Sequence, residues 1–400
     1  MKLILALIAA VTLASLAIVA LALGLKRRHM DRWLASYLIR SMGRRRHRGP
    51  THVLLCIADH YEPRWGEAPS DVARSRVQAW AREYPRLFSG FRDSDGRPPR
   101  HTFFFPAEEY EPEHLDALAS LCRAGFGEVE VHLHHDGDTS ANLRKTLLEF
   151  KETLSRRHGL LARDPQTGEP VYAFIHGNWA LDNSRPDGRW CGVNDELDAL
   201  RETGCYADFT MPSAPSPTQT RTINSLYYAV DDPDRPKSHD RGIALGSAPR
   251  PERSLMMIQG PLTLDWKRRR VENGCIQGNQ PAHIDRLDAW ISAGVRVPSR
   301  PDWFFVKLYT HGATEENQHA LLGPPMVAFH QGLARRAKSD PSFHFHYVTA
   351  REMYNLARAA EAGWEGTVDE ARDRGLTWRS GRSPADDPDP KPLEPGVTPA

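Results

Sequence analysis

The stretch Glu128-Val-Glu-Val-His-Leu-His-His-Asp-Gly-Asp-Thr139 holds the densest run of imidazoles and carboxylates in the chain. Val129, Val131 and Leu133 alternate with Glu128, Glu130, His132 and His134, which predicts a strand with an apolar back and an ionisable front. The break at His135-Asp-Gly-Asp is a turn signal placed where the ionisable face ends. His132 and His134, two residues apart on that face, are spaced to hold one ion between them. A buried row of charges without partners is costly, so a partner or a bound ion is expected there.

Other stretches bring similar chemistry to predicted strand ends. Asp59-His60-Tyr61-Glu62, His176-Gly-Asn-Trp179, Asp208, Asp265-Trp266 and Lys307-Leu-Tyr-Thr-His311 each close an apolar run. Imidazoles and carboxylates gathered at strand ends suit zinc or a similar divalent ion with an open position, and hence a metal-assisted hydrolase. His176, Asn178, Trp179 and Asp208 are candidates for substrate contact, and an aromatic ring such as Trp179 can stack on a sugar. His344 and His346 alternate with Phe343 and Phe345 and read as structural.

Strands and helices that alternate from Thr51 onward must position these residues. Strands are expected at 52–58, 100–105, 128–134, 171–175, 205–210, 255–258 and 303–310, with an eighth at 343–348. Helices are expected at 71–88, 112–123, 141–158, 194–203 with Asn194 as N-cap, 281–293, 315–337 and 350–360. The economical solution is an α/β fold, a distorted seven- or eight-stranded (β/α) barrel over residues 51–360. A doubly wound open sheet is the alternative. In a barrel, active sites form at the C-terminal ends of the strands, where the candidate residues fall. The Pro/Ser/Asp-rich insertion 212–253 exceeds the roughly 12–15 residues of an idle loop and is read as a lid over that face.

The order of these motifs resembles the polysaccharide deacetylase superfamily, over about Thr51 to Ala360. Ala58-Asp59-His60 stands where that family places its acidic first motif, but offers one Asp followed by His. Val131-His-Leu-His-His135 stands at its metal-binding histidines with tighter spacing. His176-Gly-Asn-Trp179 stands near its arginine motif without an arginine, and Leu308-Tyr-Thr-His311 resembles its late leucine–histidine motif. The resemblance implies a divalent metal, zinc by preference, held by Asp59, His132 and either His134 or His135. It implies Asp59 or His60 as base, His311 as general acid, and Asn178 or the backbone at Gly177 as oxyanion stabiliser. The expected reaction is release of an acyl group from an N-acetylated sugar in a glycan. Two other readings are an amidohydrolase-like metal hydrolase, which also uses a His-x-His strand, and a membrane-attached barrel that binds glycan without cleaving it.

Bulk composition is that of a folded enzyme-sized chain, with 40% apolar and 26% charged residues in 400. The net charge of +1 gives no reason to expect nucleic acid as a partner. Five scattered cysteines without C-x-x-C spacing argue against a disulfide framework or an all-thiolate metal site.

Leu3–Leu25 is apolar and uncharged, matching the roughly 20 residues needed to span a bilayer. Ala20-Leu-Ala22 offers a cleavage pattern, but the length favours an uncleaved anchor over residues 1–25. The basic segment 26–50 that follows predicts a single-pass membrane protein of bacterial inner-membrane type with its body in the cytoplasm. Within it, residues 30–48 read as an amphipathic stretch on the membrane surface. Residues 361–400 are expected to be a largely disordered tail, most clearly from Ser380, where proline is frequent and apolar residues are few.

Overall fold

The computed structural model describes residues 2–42, 47 and 49–378. Among these, nine strands of four or more residues make the main sheet. They are β1 (Thr51–His60), β2 (His101–Pro106), β3 (Gly127–Leu133), β4 (Pro170–His176), β5 (Cys205–Asp208), β6 (Leu226–Val230), β7 (Ser254–Ile258), β8 (Trp303–Thr310) and β9 (Phe343–Tyr347). Seven run parallel in the order β8-β1-β2-β3-β4-β5-β7, and β6 is antiparallel to β7. The expected eighth strand, β9, pairs with β1 over Thr51–Leu55, while β2 takes Ala58–His60 of the same strand. Because β8 runs along the other edge of β1, β9 is wedged beside β2 and adds no full stave.

No ladder joins β7 to β8 among the described residues, so the barrel wall is not closed by strand pairing. Gly274–Ile276 lines the β8 side of the gap: the Ile276 N–H donates to the Tyr309 carbonyl at 2.9 Å, and the Tyr309 N–H to that of Gly274 at 3.0 Å. Across the interior, Lys307 Nζ donates to the carbonyls of Phe209 and Met211 at 2.5 and 2.7 Å. The sheet thus curls until its edge strand β8 reaches, through the Lys307 side chain, the segment that follows β5.

Both faces of the strands are buried, as a parallel sheet covered by helices requires. Val53, Leu55 and Ile57 of β1 pack outward against Val77, Trp80 and Tyr84, while Leu54, Cys56 and Ala58 pack inward with Phe104, Ala173, Ile175 and Ala207. Val77, Trp80, Tyr84 and Phe88 are spaced by three or four residues and form one buried stripe of a helix.

The helices are α1 (Lys2–Arg27), α2 (Leu34–Met42), α3 (Ser70–Phe88), α4 (Pro112–Arg123), α5 (Ser140–Glu152), α6 (Glu196–Thr203), α7 (Leu287–Ala293), α8 (Glu315–Leu321), α9 (Pro324–Ser339), α10 (Ala350–Glu361) and α11 (Val368–Ala371). The helix expected over 315–337 is two helices, because Gly323-Pro-Pro interrupts it and Pro is tolerated only in a first turn. The helix expected from Asn194 starts at Glu196, preceded by Asp195. That expected over 141–158 is α-helical to Glu152 and closes with a π-helical turn over Thr153–Arg157.

Three segments differ in placement from the sequence reading. The 212–253 insertion supplies β6, with Tyr227 and Tyr228 buried, so it builds sheet edge as well as loop. In the stretch 30–48, Trp33 and Tyr37 are buried with Ala214, Ile223 and Leu262 of the body, and Leu38 is exposed. The apolar side read as membrane-facing is therefore spent on protein packing; the Arg44-Arg-Arg run and Arg48 lie outside the described residues. In the tail, Val368, Ala371, Arg372 and Leu376 are buried against the body. Residues 379–400 lie outside the described residues. The N-terminal helix α1 is long and apolar enough to cross a membrane, with mean hydropathy 2.8 over its window and none of that window buried.

Candidate functional site

Strand alternation divides the histidines between two places. On β3, Glu128, Glu130 and His132 face the barrel interior. Arg351 pairs with Glu128 at 2.8 Å, and Tyr206 and the Ala173 N–H donate to Glu130 at 2.5 and 2.6 Å. The row of charges expected from the sequence is thus satisfied step by step up to the strand end. There His132 Nδ1 meets the Ile175 carbonyl at 2.7 Å. A carbonyl only accepts, so Nδ1 carries the proton and Nε2 presents a lone pair. That lone pair lies 3.2 Å from Glu62 Oε1.

On β1 the same alternation sends His60 inward and Asp59 outward. The His60 ring is buried 5.1 Å from that of His132 and 4.8 Å from that of His311. His60, Glu62 and His132 offer ligand atoms all within 4.8 Å of one another. Two imidazoles and one carboxylate, with no fourth protein ligand in the group, are a donor set suited to a catalytic zinc or similar ion. These residues fit such an ion.

Asp59 is engaged elsewhere. Its Oδ2 lies 2.8 Å from His101 Nε2, and its Oδ1 accepts the Gly312 N–H at 2.6 Å. Glycine is required at 312, because a Cβ there would sit 2.1 Å from Asp59 Oδ2. The structure therefore places Asp59 behind the ligand group, bracing the turn that carries His311.

His134 stands beside the group. Its Nε2 is 3.8 Å from Glu62 and its Nδ1 is 2.5 Å from Glu108, which also accepts the His134 N–H at 3.0 Å. Its ring packs so closely on Gly177 that a Cβ there would meet it at 2.2 Å. His311 Nδ1 accepts from the Gln277 side-chain nitrogen at 2.6 Å, which leaves the proton on Nε2. Trp65 and Trp179 flank His311 with ring centroids at 5.4 and 5.8 Å. A cavity of about 430 Å³ opens there, lined by Trp65, Arg76, Trp179, Gln277, Asn279 and His311 among others.

Burial sets the electrostatics of this pocket. Desolvation raises the Glu62 carboxyl to about 6 and lowers His132 to about 3. It also holds His60 well below the usual imidazole range, with His311 and His132 adding to the effect, and lowers His311. His134 differs: burial alone would lower it, but the hydrogen bond to Glu108 and the charges of Glu62 and Glu108 reverse this and raise it.

The remaining candidates lie apart from the pocket group. His135 and His176 point to the outer side of β3 and β4, towards Glu196. Asp208 is buried and accepts from the N–H and hydroxyl of Thr210 at 3.0 and 2.7 Å. Asn178 lies partly exposed in the short helical turn after β4, in the left-handed conformation at φ 54°. Glu62 and Glu108 are site residues that periodicity does not select, since each falls in a turn beyond a strand. The available signal is position, as both follow within a few residues of a strand end.

No protein-family model matches the chain, and no curated protein matches it. Among solved structures, the chain is similar to an alpha-mannosidase from Enterococcus faecalis V583, at 10% identity and a TM-score of 0.41. The similarity covers 77% of this chain and 29% of the mannosidase, so the chain spans less than a third of that protein's length.

Proposed function

We propose that the protein is a metal-dependent hydrolase that removes an acyl group from the nitrogen of an N-acylated sugar in a glycan. The observation that carries this reading is the His132 Nε2 lone pair, fixed by the Ile175 carbonyl and aimed at Glu62 beside His60. His60, Glu62 and His132 would hold a divalent ion, zinc by its donor preference. Such an ion supplies Lewis-acid polarisation and a more acidic bound water.

The chain's own groups do the rest. His134, anchored through Nδ1 on Glu108, presents Nε2 to the pocket as proton acceptor for the attacking water, in the manner of a carboxylate–imidazole pair. His311 carries its proton on Nε2 and would donate a hydrogen bond there to the substrate, while the proton that the departing amine needs is the one His134 takes from the water. Asp59 is a positioning residue, since it holds the Gly312 N–H next to His311. Trp65 and Trp179 give the pocket wall the flat apolar faces on which a sugar ring packs, while Arg76, Gln277 and Asn279 offer polar contacts.

We also propose that α1 anchors the protein in a membrane, with the body on the cytoplasmic side set by the basic residues that follow it. A C-terminal alkaline phosphatase fusion that is active would reverse this orientation.

The direct test is acetate release from N-acetylglucosamine oligomers by the full chain. Activity should vanish on chelation and return with zinc. Undiminished acetate release after complete metal removal would overturn the reading.

A further inference from the structure

The histidines that alternation turns outward have their own partners. His135 follows β3, His176 ends β4, Cys191 lies in the loop after it, and Glu196 opens α6. Glu196 Oε1 is 3.3 Å from His135 Nε2 and 3.6 Å from His176 Nε2, and Glu196 Oε2 is 3.3 Å from Cys191 Sγ. All four ligand atoms lie within 4.8 Å of one another. Ligands at zinc bond lengths around a tetrahedral ion stand about 3.3–3.8 Å apart, so these separations need little adjustment.

A second observation points the same way. His176 is fully buried, its Nδ1 is committed to the Gly177 carbonyl, and its Nε2 has no hydrogen-bond partner. An imidazole lone pair buried among a thiol, a carboxylate and a second imidazole lacks only a Lewis acid to satisfy it. The surroundings suit one. The N–H groups of Asn183 and Val193 point at Cys191 Sγ at 3.2 and 3.4 Å and would compensate part of a thiolate's charge, although burial and the Glu196 carboxylate push the free thiol well up. His135 Nδ1 lies 3.2 Å from Asp138 Oδ2, an ion-pair distance without hydrogen-bond geometry.

We propose that His135, His176, Cys191 and Glu196 form a second metal site, a closed Cys-His-His-Glu zinc centre distinct from the pocket group. Binding displaces the Cys191 thiol proton to solvent and leaves no open position for substrate. The role is structural. The ion ties the loop after β3 and the start of α6 to the β4 end that continues into Trp179, and so fixes one wall of the pocket.

Cobalt substitution of the full chain tests this without any variant, because only a thiolate ligand gives a sulfur-to-cobalt charge-transfer band in the near ultraviolet. The band is expected in the wild type, with two metal equivalents per chain. Cys191→Ser and Cys191→His should both lose the band, and Cys191→His, which keeps a nitrogen ligand, should retain the second equivalent. His132→Ala should keep the band while losing the other equivalent, so failure of the pocket reading leaves this one standing. A wild-type protein that binds cobalt without the band, or binds none, would overturn the proposal. So would a Cys191→Ser protein that keeps the band.

Discussion

His132 and Glu62 face each other at 3.2 Å across the mouth of the barrel, one from the end of β3 and one from the turn after β1. The Ile175 carbonyl selects the tautomer of His132, so the contact is between a lone pair and a carboxylate unless an ion or a proton lies between them. That pairing is the core of the ligand group, which adjoins the cavity through the contact of His60 with His311.

Glu108 anchors His134. Glu108→Gln removes the charge that raises the His134 pKa, so the imidazole becomes a weaker base. A fall in kcat of about 10–100-fold is expected with metal content unchanged. Because His134 must be neutral to accept a proton, the acidic limb of the pH–rate profile should move to lower pH. A limb that stays in place would remove His134 from the proposed role.

Asp59 and His60 are neighbours in sequence with opposite duties, because β1 turns one outward and the other inward. Asp59→Asn weakens buried bonds to His101 and Gly312 and should cost about 1–3 kcal/mol of stability while metal content is kept. His60→Ala should lower metal content instead. Denaturant titration and metal analysis of both variants distinguish these outcomes; loss of metal in Asp59→Asn at unchanged stability would make Asp59 a ligand.

Much of this division is legible in the sequence. The alternation of Val129, Val131 and Leu133 with Glu128, Glu130, His132 and His134 places His132 and His134 on one face, as the structure has them. The strand at 303–310 follows from an apolar run, and that at 343–347 from the alternation of Phe343, Phe345 and Tyr347 with His344 and His346. What is not legible is the partner set. Glu196 and Cys191 lie 61 and 56 residues beyond His135 in a helix start and a loop, where no periodicity marks them. The strand Leu226–Val230 is obscured by the proline- and aspartate-rich composition around it, although Leu226-Tyr-Tyr-Ala-Val230 is itself apolar. Trp33 and Tyr37 show the same limit, since an amphipathic stripe does not state whether lipid or protein covers it.

Trp65 is exposed at the rim of the cavity and touches no group that handles protons other than by ring contact with His311. Trp65→Ala should raise KM for a glycan oligomer about tenfold, equivalent to about 1.4 kcal/mol, and leave kcat within a few-fold. An unchanged KM for oligomers would place the sugar elsewhere.

His330 gives a pH prediction independent of either metal group. It is buried with Nδ1 2.7 Å from the Tyr347 hydroxyl, and burial lowers its pKa from 6.5 to about 3. Above pH 6.5 both folded and unfolded states are neutral there, and its contribution is complete. As pH falls below 6.5 the unfolded state takes up a proton that the native state refuses until about pH 3. Between pH 6.5 and 5.5 the wild type should lose about 1 kcal/mol more stability than His330→Gln. Denaturant titrations at the two pH values check this; an equal loss in both proteins would contradict it.

The pocket reading rests on where an ion sits, and anomalous scattering from crystals of the zinc-loaded protein locates it directly. A peak is expected about 2.0–2.1 Å from His132 Nε2, with Glu62 and His60 completing the set. A zinc-loaded protein with no peak at His132, its Nε2 instead bonded to protein or solvent, would contradict the account.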